Sequence, residues 1–154
     1  MSARGRSYRY VGRVELKAAV QPGSGGCRIS SAEELDDWIA RRSAAELAEP
    51  FTFVVGTDGV LRLAPRRSKH VACAGGGTVL SVGEIGFVRE TGQWAVSEVS
   101  NQSTGYCPDI GSWSEVARAL DDVGHERPSG FTHAVVFRRC PGCQELNIVR
   151  HGGA

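Results

Sequence analysis

The chain has 154 residues, 18 of them Lys or Arg against 17 Asp or Glu, for a formal net charge of +1. That length buries a core unaided, and the near-cancellation of charge argues against a bulk electrostatic binder of nucleic acid or an acidic-ligand scavenger. Only Lys17 and Lys69 are lysines, so sixteen basic residues are Arg. With abundant Ala, Gly and Val this reads as the composition of a GC-rich bacterial genome; Arg chosen for forked recognition of phosphates or carboxylates is the other reading.

No apolar run approaches ~18 residues and the start has no secretory core, so a soluble cytoplasmic protein with no membrane association is expected. Residues 1–6 read as a frayed tail. Residues 8–20 mix β-formers with alternation at Val11, Arg13, Val14 and Leu16 and predict one strand. "SSAEELDDWIARRSAAELAE" opens a helix: Ser30 to Glu33 and Ser31 to Glu34 fit the capping-box spacing, and Leu35, Trp38 and Ile39 form its apolar stripe. "FTFVVGTDGVLRLAP" predicts a hairpin turning at Asp58-Gly59. A second hairpin turns at Thr91-Gly92, with Gly83 and Gly86 marking a bulge or a close backbone approach. "GSWSEVARALDDVG" predicts a second helix, capped by Ser112 with Glu115 and ended by Gly124. Strands flanking "CPGC" complete a hairpin over 131–150. The sum is a single α+β domain, 1–154, with a mostly antiparallel sheet of about seven strands and two helices.

Cys140 and Cys143 enclose Pro and Gly on a strand-turn-strand, half of a zinc ribbon, with both thiolates aimed at one point. The site is completed inside the fold by two of Cys73, Cys107, Cys27 and the histidines; or the knuckle is empty; or the pair is redox-active. A redox pair sits at a helix N-terminus, whereas strands flank this one. Zinc is the one cofactor the sequence suggests. A deaminase is rejected, because Pro follows Cys140 rather than preceding it and "HAV" (133–135) lacks the glutamate.

"SKHVACAGGG" (68–77) offers a phosphate cradle: Gly75, Gly76 and Gly77 carry no side chain, so their N–H groups can converge, and Arg66, Arg67 and Lys69 lie upstream. The plainer reading is a tight turn feeding a strand. If "SNQSTGYCPD" (100–109) lies at the same sheet end, His70 and the glycines meet Asn101, Ser103, Tyr106 and Cys107 in a polar pocket. Glu84, beside two glycines, reads either as a carboxylate bonded to the glycine loop or as an outward residue.

His70, Ala74, Gly75, Gly76 and Gly83, followed by Ser103, Tyr106 and Pro108 and then the helix "SWSEVARAL", resemble the shared core of the plant IQ-motif calmodulin-binding proteins and related bacterial domains, some attached to toxin-like proteins. The resemblance covers residues 66–123. It implies a conserved-type core with a pocket and supplies no reaction. Gly105 stands where that pattern has a histidine, and no IQ motif is present, so calmodulin binding does not carry over.

The first functional reading is a small cytoplasmic bacterial binding or accessory module. Its loop face 66–77 and 100–108 would hold an anionic ligand or a protein partner through Arg66, Arg67, Lys69, Gly75, Gly76, Gly77, Glu84, Asn101 and Ser103. The second is an enzyme on that face, with His70 as acid/base, the glycine loop as phosphate or oxyanion cradle, and Asn101 and Tyr106 positioning substrate. The third is a nucleic-acid accessory protein using a zinc knuckle and the arginine-rich start, where Arg4, Arg6, Arg9 and Arg13 interleave with Tyr8 and Tyr10. The near-zero net charge speaks against it.

Overall fold

In the computed structural model, residues 6–20, 25–139 and 146–150 are described. In chain order the elements are α1 (Val14–Ala18), β1 (Cys27–Ile29), α2 (Ala32–Ala40), α3 (Ala44–Leu47), β2 (Phe51–Gly56), β3 (Leu61–Ala64), α4 (His70–Cys73), β4 (Val79–Glu90), β5 (Gln93–Val99), α5 (Trp113–Val123), β6 (Val135–Arg139) and β7 (Leu146–Arg150). A 3-10 turn, Ile110–Ser112, leads into α5.

The expected class, α+β, is what forms, but a sheet of about seven strands with two helices is not. Five strands make one antiparallel sheet in the order β1-β3-β2-β4-β5, and β6 pairs with β7 in a separate two-stranded ribbon. Five α-helices are present among the described residues. The two that fall where no helix was expected, α1 and α4, have five and four residues, too few turns to display a helical period. The predicted strand over 8–20 reduces to one bridge, Tyr8 to Val79, followed by α1. The long helix breaks at Arg41, and Ser43 starts α3 with a reciprocal capping box to Glu46.

The hairpin turns lie where their residues demand. Gly59 has φ 79°, and Thr91 and Gly92 have φ 48° and 80°, the two left-handed positions that a twist-matched two-residue turn requires. Ser31 caps α2 by accepting from the Glu34 N–H. Ser112 does not cap α5; its hydroxyl lies 2.9 Å from that of Ser81 inside the core.

The sheet has two covered faces. Phe53, Val55, Leu61, Leu63, Ile85 and Val99 pack against Leu35, Trp38 and Ile39 of α2 and Val116, Leu120 and Val123 of α5. Burying a large aliphatic or aromatic side chain is worth ~1.5–3 kcal/mol, so this layer holds most of the stability. On the other face Val54, Ala64 and Val82 lie under Val71 and Cys73 of α4, with Tyr8 and Tyr106. On the first face, where Gly83 lies opposite Phe53, a close approach is decisive: a Cβ at Gly83 would run into the Ser100 carbonyl. Only glycine lets the chain after β5 cross β4 at that point. Gly86 marks the bulge, since the β4–β5 register shifts between Gly86 and Phe87.

Candidate functional site

The glycine run ends a helix rather than opening one. Lys69 precedes α4 with an extended backbone, and Ala74 closes it. The N–H groups of Gly75, Gly76 and Gly77 donate to the carbonyls of Ala72, Val71 and Ala74 at 2.9, 2.8 and 3.1 Å. Gly75 and Gly76 take φ of 64° and 81°, which the reversal requires. These donors are spent, and the end of a helix carries partial negative charge. The phosphate or oxyanion cradle is therefore corrected to a helix C-cap.

Asn101 is fully buried, and its amide is used on both sides. Its Nδ2 donates to the carbonyls of Pro108 (3.0 Å) and Val135 (2.9 Å), while Oδ1 accepts the Val135 N–H (2.8 Å). The side chain thus imitates a strand partner and fastens β6 to the sheet. Tyr106 is 2 % exposed, and its hydroxyl donates to the Gly77 carbonyl at 2.8 Å, tying the two expected loops together. Burial, with smaller contributions from Tyr10 and Cys73, pushes that phenol up to about 12. Ser103 is buried; its carbonyl accepts the Cys107 N–H at 2.7 Å and closes the turn, with Cys107 at φ 51°.

His70 is largely buried, with Nε2 3.2 Å from the Gly83 carbonyl. A carbonyl can only accept, so Nε2 carries the hydrogen. Desolvation outweighs that bond and lowers the imidazole to about 4, so the ring is neutral at physiological pH. Glu84 does not reach the glycine loop: its carboxylate faces the Arg66 guanidinium at 3.7 Å, and Arg66 also faces Glu49 at 3.7 Å. Arg67 is exposed.

Sequence reasoning brought the His70 and Tyr106 loops together, but it missed Tyr10, which lines a recess with His70 and packs on Tyr106. Tyr10 packs edge-on against Tyr106 with ring centroids 5.6 Å apart and donates its hydroxyl to the Arg13 carbonyl at 2.9 Å. A Cβ at Gly105 would come within 2.7 Å of its ring. The two loops and the N-terminal arm, residues 6–13, border a recess of about 250 Å³ lined by Lys69, His70, Thr104, Gly105, Tyr10 and Arg13. The only sequence signal for Tyr10 was its place in the Arg/Tyr-rich start, read as a base-stacking surface. The rings turn inward instead: Tyr8 is 8 % exposed and belongs to the core.

A second polar recess, of about 600 Å³, lies where Glu84, Glu98, Ser100, Gln102 and His133 meet. Register places Glu84 and Glu98 on one sheet face, the latter opposite Gly86. Glu98 and His133 were not anticipated, because their meeting depends on how the chain after β5 returns.

Cys140 and Cys143 lie outside the described residues. Of the thiols expected to complete their site, Cys73 is 1 % exposed and donates weakly to the Arg62 carbonyl at 3.9 Å. Burial pushes it up to about 12, which opposes the thiolate a zinc ion needs. Cys107 donates to the Thr104 carbonyl at 3.2 Å. Among the described residues no three His, Cys, Asp or Glu side chains are grouped to hold a metal, and no helix is long and apolar enough to cross a membrane.

Comparison with known proteins gives no match to a family model, a curated protein or a solved structure. The likeness of residues 66–123 to the IQ-motif proteins rests on its motif residues alone.

Proposed function

We propose that this is a non-catalytic binding module of the bacterial cytoplasm, and that the recess between residues 69–71 and 104–105 receives an anionic group of a ligand or partner. One observation carries the reading. The groups that catalysis would need, the His70 Nε2, the Tyr106 hydroxyl, the Asn101 amide and the glycine N–H groups, are bonded to the protein's own backbone. The charges beside them are open to solvent. Lys69 is exposed and has no carboxylate partner among the described residues, and Arg13 is exposed with Glu15 at 3.4 Å.

The volume, about 250 Å³, is smaller than the ~300–1,000 Å³ of small-molecule sites. It suits a phosphate or carboxylate belonging to something larger. Tyr10, Leu16 and Val71 give it an apolar wall.

The test is a titration of ¹⁵N-labelled protein with inorganic phosphate and with phenyl phosphate. Saturable shifts at Lys69, His70, Thr104 and Gly105, abolished by Lys69→Glu, are expected. Shifts elsewhere, or none, overturn the reading. Release of phenol from phenyl phosphate, lost in His70→Gln, replaces binding by the enzymatic reading.

A further inference from the structure

A different surface, on the far side of the N-terminal arm, has the hydrogen-bonding pattern of an unfilled strand position. The arm is joined to β4 at Tyr8, whose N–H donates to the Val79 carbonyl (2.7 Å) and whose carbonyl accepts the Val79 N–H (2.9 Å). In extended chain, successive residues point their backbone groups to opposite sides. Ser7 and Arg9 therefore turn theirs away from β4. Further along, that outer side is closed where the Val11 N–H donates to Gly105.

Across the gap runs β6. Both backbone groups of Val135 are held by the Asn101 side chain, on the side away from β7. By the same alternation Val136 bonds into the ribbon, and Phe137 presents its N–H and carbonyl outward, as Val135 does. No backbone hydrogen bond involves Ser7 or Arg9, or the outer edge of Phe137, among the described residues.

The arm and β6 border a groove of about 580 Å³, lined by Arg6, Ser7, Arg9, Ile110, Val136 and Phe137. At ~4.8 Å strand spacing, ~3.4 Å rise and ~10 Å sheet separation, that holds about three to four residues of extended chain. Its mouth carries two of the few exposed large apolar side chains, Val11 (59 % exposed) and Ile110 (38 %). The charge beside it is basic: Arg6 and Arg9 are exposed and have no ion-pair partner among the described residues. The acidic group in the groove, Asp109, is engaged in accepting the Gly111 N–H at 2.9 Å.

We infer that this groove is a strand-addition site for an extended acidic segment of a partner protein, which would pair with the arm on one side and β6 on the other. Main-chain pairing gives such a site its affinity, and the flanking side chains give it its preference. Two open edges facing each other supply the first. Arg6, Arg9 and the Val11/Ile110 wall select acidic residues alternating with β-branched ones. The site is separate from the Lys69 recess and stands or falls independently of it.

The probe is a fluorescein-labelled heptapeptide, Val-Asp-Val-Asp-Val-Asp-Val, followed by anisotropy against the full chain. Saturable binding is expected, weakened at least tenfold when alternate peptide N–H groups are methylated. The exposed double variant Arg6→Glu/Arg9→Glu should weaken it at least tenfold too, and the Val/Lys heptapeptide should not bind. Equal affinity for methylated and unmethylated peptides would overturn strand pairing, as would the absence of saturable binding. Hydrogen exchange on the isolated protein is a second readout: rapid exchange is expected at Ser7, Arg9 and Phe137. Protection there, whether from the chain's own termini or from a second copy detected by sedimentation, would mean that the position is already filled and would also overturn the proposal.

Discussion

The two faces of the central sheet are covered by different physics. One is closed by amphipathic helices, α2 and α5, whose Leu35, Trp38, Ile39, Val116 and Leu120 are buried at intervals of three or four. The other is closed by short pieces: the arm, two short helices and the loop 100–108. These are held as much by individual hydrogen bonds as by apolar area. The residues that look chemical in the sequence, His70, Asn101, Tyr106 and the glycine run, all belong to the second face. A cover without long helices must satisfy its backbone groups one at a time, and polar side chains and glycines are what can do so.

Substitutions can break this contrast in order of severity. Gly83→Ala should be the most damaging, more than about 4 kcal/mol by denaturant titration, because a backbone crossing cannot shift aside for a methyl group. Asn101→Ala leaves three buried backbone groups unpaired and should cost about 3 kcal/mol, with hydrogen exchange accelerating at Val135 before the β2–β4 ladder. Leu120→Ala on the helical face should also cost about 3 kcal/mol, but as a cavity that loosens the whole core rather than one edge. An equal, global exchange pattern in both variants would erase the distinction between the faces.

The polar face should also respond to pH. In the unfolded chain His70 takes up its proton near 6.5; in the folded protein it does so only near 4. The unfolded state binds more protons between those values, so stability falls as pH drops through the window, by about 2 kcal/mol from pH 7 to pH 5. Urea titrations across this range should show the slope, and His70→Gln, which keeps an N–H for Gly83, should flatten it. The smallest effect is expected for Tyr106→Phe, about 1 kcal/mol for the lost bond to Gly77, with the ring still packed on Tyr10. A larger loss would assign the hydroxyl a wider role in holding the cover.

Much of the first face was legible in the chain. The stripes of α2 and α5, the turns at Asp58-Gly59 and Thr91-Gly92, and the marks left by Gly83 and Gly86 are local signals, each carried by residues a few positions apart. Less of the candidate site was legible. That the loops at 70–77 and 103–106 meet followed from hairpin topology, and the Tyr106–Gly77 bond joins them. That the glycine N–H groups face inward did not follow, because a four-residue helix such as α4 leaves no periodic trace.

The sequence by itself determined the segments that became α2, α5 and the strands of the two hairpins, because their repeating patterns are set by backbone geometry; the alternation over 8–20 made no strand. Only the tertiary structure decided which polar groups are left for other molecules. A side chain's chemistry is available only if no carbonyl of its own chain has claimed it first. For His70, Asn101 and Tyr106 those carbonyls lie 13, 7 and 29 residues away along the chain.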